Sequence, residues 1–65
     1  HQALSAREHE VFLMIAAGKS VSAIAEELCL SIKTISTYRS RILEKMDLGS
    51  NAELIRYALQ HGLVQ

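Results

Sequence analysis

The sequence contains no proline and no tryptophan, only one cysteine and three glycines, and its formal net charge is zero. Proline kinks or breaks a helix when it lies in the interior, so its absence leaves no such break anywhere in the sequence. A single cysteine, Cys29, cannot close an internal disulfide, so nothing indicates an oxidising compartment. Because Cys29 lies between two leucines, we interpret it as a small buried residue at a helix end rather than a reactive thiol. No apolar run approaches the ~20 residues that a membrane-spanning helix needs.

What is present is enough apolar sequence for one small domain. The chain has 65 residues, of which 49% are hydrophobic, and this fraction is typical of a globular protein rather than a disordered one. The segment His1-Gln2-Ala3 lacks the charged and then apolar layout of a secretory signal. The chain also does not begin with methionine, so we expect it to be a fragment of something longer.

Serines and glycines divide the chain into four predicted helices, and no stretch shows the alternation of a strand. Each helix is expected to begin after a serine N-cap. The first and fourth helices have a glutamate three residues after that serine, which predicts two capping boxes, Ser5 with Glu8 and Ser50 with Glu53. Each glycine follows a helical segment, where a left-handed residue commonly ends the helix. The fold class is therefore an all-α four-helix bundle, with helices at about residues 6–17, 21–29, 32–46 and 51–61.

The connection between the second and third helices is the most informative spacing. Only Leu30 and Ser31 separate them, and a short helix, a tight turn and a longer helix are the layout of a helix-turn-helix. Glycine, which is common in such a turn, is missing here. The third helix also carries most of the positive charge, with four cations and one anion, whereas the segment from Arg7 to Glu27 has two cations and four anions.

The third helix has two different faces when each residue is turned by about 100°. Its apolar face is predicted to consist of Ile35, Tyr38, Ile42 and Met46. The opposite face is polar and mostly small: Lys33, Ser36, Thr37, Ser40, Arg41 and Glu44. Such a face is either an ordinary solvated surface or one that meets a polyanion. Small side chains allow a helix to enter the ~12 Å major groove. With the helix-turn-helix layout added, the residues support the two interpretations about equally.

Three segments resemble a known family: "LSAREHEV", "AIAEELCLSIKTISTYRSRILEKMDL" and "NAELIRYALQHGLV". They are similar to the LuxR-type helix-turn-helix, the effector domain of NarL/FixJ-class bacterial response regulators and of quorum-sensing regulators. The resemblance extends from Leu4 to about Val64. Two positions depart from the pattern, because Ala23 stands where the family usually has Glu and Tyr38 where it often has His. The segment "KTISTYRSRILEKM" is most similar to members with a receiver domain, which favours a response regulator over a quorum sensor.

The resemblance implies a single DNA-binding domain over residues 1–65, the C-terminal part of a cytoplasmic transcription regulator. It implies double-stranded DNA, a second copy of the chain, an N-terminal receiver domain absent from this chain and RNA polymerase as partners, with no cofactor. The family's base-contacting positions fall on Ser36, Thr37 and Ser40. Its phosphate-contacting positions fall near Ser20, Lys33, Thr34 and Lys45, with Arg39 and Arg41 as further contacts. Its dimer helix is the fourth, where periodicity leaves Ala52, Ile55 and Leu59 pointing outward.

Other functions have weaker support in the sequence. His9-Glu10 begins like a zinc-protease motif, but the required second histidine is replaced by Leu13. The three histidines have no metal-ligand spacing, and no Gly-rich phosphate loop or Ser–His–acid set is present. We therefore expect neither an enzyme nor a metal site. The remaining alternative is a helical module that binds another protein through its fourth helix.

Overall fold

A computed structural model describes residues 4–62, which form four helices and no strand. The predicted all-α fold is confirmed, and each helix ends one residue before the predicted boundary. The four helices are α1 (Ala6–Ala16), α2 (Val21–Leu28), α3 (Ile32–Lys45) and α4 (Asn51–Gln60).

Each helix begins after a serine whose hydroxyl accepts a backbone N–H three residues later. The capping box predicted for α1 is complete, because the Glu8 carboxylate also accepts from the Ser5 backbone N–H at 2.8 Å. These bonds satisfy backbone donors that a helix terminus leaves without an intrahelical partner. The four N-caps are those predicted: Ser5, Ser20, Ser31 and Ser50.

The second predicted capping box is wrong in one of its two bonds. The Glu53 backbone N–H donates to the Ser50 hydroxyl at 3.3 Å, as expected. The Glu53 carboxylate, however, accepts from the backbone N–H of Gly49. The backbone of Ser50 is fully extended, with φ −162° rather than the −68° found at Ser5. With this backbone, the N–H that the Glu53 carboxylate accepts is that of Gly49 instead of that of Ser50. A Cβ at Gly49 would lie 2.6 Å from Glu53 Oε2, so the carboxylate occupies the space a larger residue would need.

Left-handed residues follow the helices, but they are not all glycines. Gly18 and Gly62 have φ values of +93° and +67°, as predicted. After α3 the prediction for Gly49 is wrong, because Asp47 takes the left-handed conformation with φ +56°. Aspartate tolerates this region better than most side chains, since its short polar group can bond locally.

The turn of the helix-turn-helix is closed by Cys29, which adopts φ +58° and ψ +39°. The Cys29 backbone N–H donates to the Glu26 carbonyl at 3.3 Å, and the Leu30 N–H donates to the Ala25 carbonyl at 2.9 Å. This bond pair is the Schellman arrangement, in which glycine is the usual left-handed residue. Cys29 therefore has the conformation that the missing glycine would have. Its side chain is exposed, so the interpretation of Cys29 as buried was wrong.

The hydrophobic core draws on all four helices. α1 lies against the other three helices, and α2 packs against α3. Tyr38 and Met46 are partly buried against this core, as the periodicity of α3 predicts. The buried apolar residues are Val11, Phe12, Ile15, Ala16, Ile24, Ala25, Ile35, Ile42, Leu54 and Ala58. Since α2 and α3 are both anchored by these residues, the outward face of α3 has a fixed orientation.

Candidate nucleic-acid interface

The outward face of α3 is the largest set of candidate site residues that the structure brings together. Ile35 and Ile42 are 0% exposed and hold one side of the helix in the core. The opposite side lies in solvent, where Ser36 is half-buried. The exposed residues on that side are Lys33, Thr37, Ser40, Arg41 and Glu44. The two faces therefore lie where the helical periodicity places them.

The hydroxyl groups of α3 differ in what they can still bind. The Thr37 hydroxyl donates to the Lys33 carbonyl at 3.1 Å, so its proton is already used. The Thr34 hydroxyl lies 2.8 Å from the Ser31 hydroxyl, beside the helix N-terminus. Ser36 and Ser40 have no side-chain hydrogen bond within residues 4–62. On the middle of the face, the free hydroxyl groups are therefore those of Ser36 and Ser40, while the Thr37 hydroxyl is engaged.

The cations of α3 also differ, because only some of them are balanced within the protein. Lys33 and Arg41 are exposed and form no salt bridge with any residue that the structure describes. Lys45 lies on the flank, and its ammonium group donates to Glu8 Oε1 at 2.7 Å. This pair joins the first turn of α1 to the last turn of α3. Of the three α3 cations without a salt bridge in that part of the chain, Lys33 and Arg41 therefore lie exposed on the outward face, and Arg39 is half-buried.

The environment of Glu8 explains why its charge is stable inside the fold. The residue is only 3% exposed, yet its pKa is lowered from 4.5 to about 2. The hydrogen bond from Lys45 is the largest cause, and the backbone N–H of Ser5 adds to it, while burial acts in the opposite direction. Glu8 is thus a carboxylate at neutral pH, and it balances the charge of Lys45.

Arg39 lies where α3 meets the beginning of α4. Its Nη1 is 3.5 Å from Asn51 Oδ1, at the long limit for a hydrogen bond. Its Nε is buried and has no hydrogen-bond partner among the described residues. The side chain is half-buried. Arg39 therefore belongs to the flank next to α4 rather than to the outward face.

Ser20 begins α2 at an exposed position. Its hydroxyl accepts from the Ala23 N–H at 3.1 Å and keeps its own proton available. Because residue 23 is alanine, no carboxylate closes a capping box at this helix start, as the sequence predicts. The first turn of α2 therefore presents backbone N–H groups and a hydroxyl without a nearby negative side chain in that turn.

The outer side of α4 is a second candidate surface. Leu54 and Ala58 are 0% exposed and hold the inner side in the core. On the outer side, Ala52 is exposed, Ile55 is half-buried and Leu59 is 57% exposed. The three residues predicted to form a dimer interface therefore share the outer side.

The sequence interpretation missed one residue of α3. Ile32 is 54% exposed, and Leu59 is the other large apolar residue that is exposed in the described chain. On a helical wheel Ile32 lies near the edge of the core face, about 60° from Ile35, so it was not assigned to the outward face. Ile32 is the first residue of the helix, and this position indicates exposure because neighbouring helices cover the end of a helix less than its middle.

Other kinds of site have no support in the described part of the chain. No three His, Cys, Asp or Glu side chains between residues 4 and 62 are grouped as metal ligands. None of the four helices has the length and apolar character that a bilayer crossing requires.

Comparison with known proteins gives one consistent result. Residues 2–58 match the family described as bacterial regulatory proteins, luxR family. The response regulator GacA of Pseudomonas protegens is 48% identical over 62 residues, which are 95% of this chain and 29% of GacA. The response regulator UvrY of Escherichia coli is 43% identical over 60 residues, which are 92% of this chain and 28% of UvrY.

A solved structure agrees with these sequence matches. The Vibrio cholera VqmA–ligand–DNA complex has a TM-score of 0.85 and 35% identity to this chain, and it is matched over 95% of this chain and 27% of VqmA. The chain thus spans less than a third of the length of each of these relatives. The family consists of regulatory proteins rather than a class of enzymes. The four-helix chain, with α2 and α3 as its helix-turn-helix, belongs to the LuxR family of bacterial regulatory proteins.

Proposed function

We propose that this chain binds double-stranded DNA sequence-specifically and regulates transcription as the effector domain of a response regulator. α3 enters the major groove with its outward face toward the bases. The observation that carries this proposal is that one helix pairs an apolar stripe, in which Ile35 and Ile42 are fully buried, with an outward face of small residues and unpaired cations. Relatives named as response regulators support the regulatory part.

The contacts follow from the chemistry of the two groups of residues. Ser36, Thr37 and Ser40 are small enough for the helix backbone to come near the base edges. Lys33 and Arg41, on the same side, provide charge for the phosphates, which fix the position of the protein without reading sequence. Ser20 and Thr34, at helix N-termini, meet phosphates through their hydroxyl groups. Lys45 and Arg39 lie on the flanks, and Lys45 approaches DNA as a cation already balanced by Glu8.

The rest of the proposal concerns partners. A second copy of the chain binds through the outer side of α4, so that two α3 helices reach successive major-groove segments. A receiver domain controls this association, and RNA polymerase is the further partner in the cytoplasm. The family relationship and the greater length of the relatives support these assignments.

The proposal predicts that Lys33→Gln weakens binding to all duplexes by about the same factor. It also predicts that the slope of log affinity against log salt becomes shallower by about one, since one phosphate contact and its counterion release are lost. Fluorescence anisotropy titrations at several salt concentrations, with one selected and one random duplex, measure both effects. Arg7→Gln is the matched control, because Arg7 is exposed on α1 and pairs with Glu10 at 3.0 Å, whereas Lys33 lies on α3.

The proposal fails if the wild-type chain shows no duplex binding at low salt and high micromolar concentration. A flat DNA titration together with specific capture of a protein through α4 would favour the interaction module instead. An equal loss of slope for Arg7→Gln and Lys33→Gln would show that net charge, and not the α3 surface, governs binding.

A further inference from the structure

Ile32 is a large apolar residue whose side chain is exposed to solvent. It is 54% exposed at the first residue of α3, directly before the free cation Lys33. The other exposed large apolar residue, Leu59, lies on the α4 surface already assigned to a second copy of the chain. Ile32 lies outside that α4 surface and has no role in the contacts described so far.

The position of Ile32 connects it to the proposed reading face. Ile32, Ser36 and Ser40 are spaced four residues apart, so they form one ridge along the helix. Ile32 is the N-terminal member of that ridge. In helix-turn-helix proteins the N-terminal residues of the second helix are the ones that contact base edges. An apolar side chain at this position therefore points to an apolar feature of the groove.

The major groove has one such feature, which is the C5-methyl group of thymine. On the middle of the α3 face the Thr37 hydroxyl is used on the Lys33 carbonyl, and the free hydroxyls are those of Ser36 and Ser40. A serine hydroxyl can donate to or accept from several bases, so apolar contact with a methyl group would add a discrimination that these two serines lack. Burying the exposed surface of Ile32 against a methyl group removes apolar area of both partners from water.

We propose that Ile32 is a specificity-determining residue that packs against a thymine methyl group in each half-site. This inference rests on the proposed function, since it requires α3 in the major groove. It adds a base preference, which is thymine opposite the first turn of α3.

The test removes single methyl groups from the DNA. The wild-type chain first selects a duplex from a random pool, and each thymine of that duplex is then replaced in turn by deoxyuridine, which lacks only the C5-methyl. At one thymine per half-site, the replacement is expected to weaken wild-type binding by about fourfold. Ile32→Ala is expected to weaken binding to the unmodified duplex by a similar factor and to be insensitive to the same replacement.

Two further variants separate Ile32 from other causes. Ile32→Val keeps a branched apolar side chain and is expected to retain part of the deoxyuridine effect. Leu59→Ala removes the other exposed large apolar residue and is expected to retain all of it, whatever its effect on overall affinity. Because Ile32 is exposed and alanine favours helix, Ile32→Ala should keep the wild-type circular dichroism and thermal midpoint.

The outcomes distinguish this inference from the function on which it rests. If wild-type binding is insensitive to every deoxyuridine replacement, or if Ile32→Ala keeps the wild-type sensitivity, the inference is overturned and DNA binding stands. If the random pool yields no enriched duplex, sequence-specific binding itself is overturned, and the assignment of Ile32 with it.

Discussion

Replacing Leu59 with glutamate is expected to weaken binding to a duplex with two half-sites by roughly 100-fold or more. Binding to a duplex with a single half-site is expected to change by less than about threefold. Leu59 is 57% exposed on the outer side of α4, beside Ala52 and Ile55. In a symmetric pair the same surface meets itself, so each glutamate would face the apolar side of the partner copy and lose its water.

The size of this effect comes from effective concentration. Two joined copies place the second α3 near its half-site, which raises overall affinity by roughly 10²–10⁴ without any new DNA contact. Losing the α4 contact removes this gain and leaves the contacts of each α3 intact. Gel-shift titrations with one-site and two-site duplexes measure the difference directly.

Gln60→Glu is the matched control for the charge. Gln60 is the next residue along α4, is exposed and lies near the same helix end, but it is turned about 100° away from Leu59. Its substitution should change two-site binding by less than about threefold. Equal losses for the two variants, or an unchanged two-site affinity for Leu59→Glu, would contradict the α4 interface.

Lys45→Met is expected to destabilise the chain more than the same change at any other lysine or arginine. We expect the thermal unfolding midpoint to fall by roughly 10 °C, against less than about 3 °C for Lys33→Met. After this substitution the Glu8 carboxylate, which is only 3% exposed, no longer has the Lys45 ammonium group 2.7 Å away. Removing Lys45, the more exposed member of the pair, leaves the charge of the buried Glu8 carboxylate without compensation.

The pair also makes stability depend on pH in a defined direction. The pKa of Glu8 is about 2 in the folded chain and 4.5 as an ordinary carboxyl. The unfolded chain therefore binds a proton more readily, and the stabilising contribution is complete above about pH 4.5. It is lost as the pH falls from there toward 2. Urea unfolding at a series of pH values measures this, and Glu8→Gln should flatten that part of the profile.

The double variant is the control for this prediction. Glu8→Gln together with Lys45→Met removes both charges, so it should be less destabilised than Lys45→Met alone, apart from any loss at the α1 cap. If Lys45→Met and Lys33→Met have the same thermal midpoint, the pair of Glu8 and Lys45 does not stabilise the fold and this prediction is wrong.

The helices could be predicted because their signals are local. Four serines in front of periodic apolar segments fixed the starts of α1 to α4, and the capping bonds of Ser5 and Ser31 follow from residues within one turn. The core face of α3 followed from spacing as well. Each of these features depends on residues a few positions apart.

The features that could not be predicted depend on distant residues or on the backbone of a neighbour. Glu8 and Lys45 are 37 positions apart, and nothing in either segment indicates that their helices place them together. Glu53 has a capping-box position, yet the extended backbone of Ser50 gives its carboxylate the N–H of Gly49. The exposure of Ile32 also depends on its neighbours, which leave the first residue of α3 uncovered, and only its position at the helix start indicates this in the sequence.

The central claim is that the outward face of α3 lies in the major groove, and methylation interference tests it most directly. Dimethyl sulfate methylates guanine N7, which lies in the major groove, and adenine N3, which lies in the minor groove. With the selected duplex, the account predicts that methylation of guanine N7 blocks binding at positions in two blocks about one helical turn apart. Interference confined to adenine N3, with methylated guanines bound normally throughout the site, would contradict it.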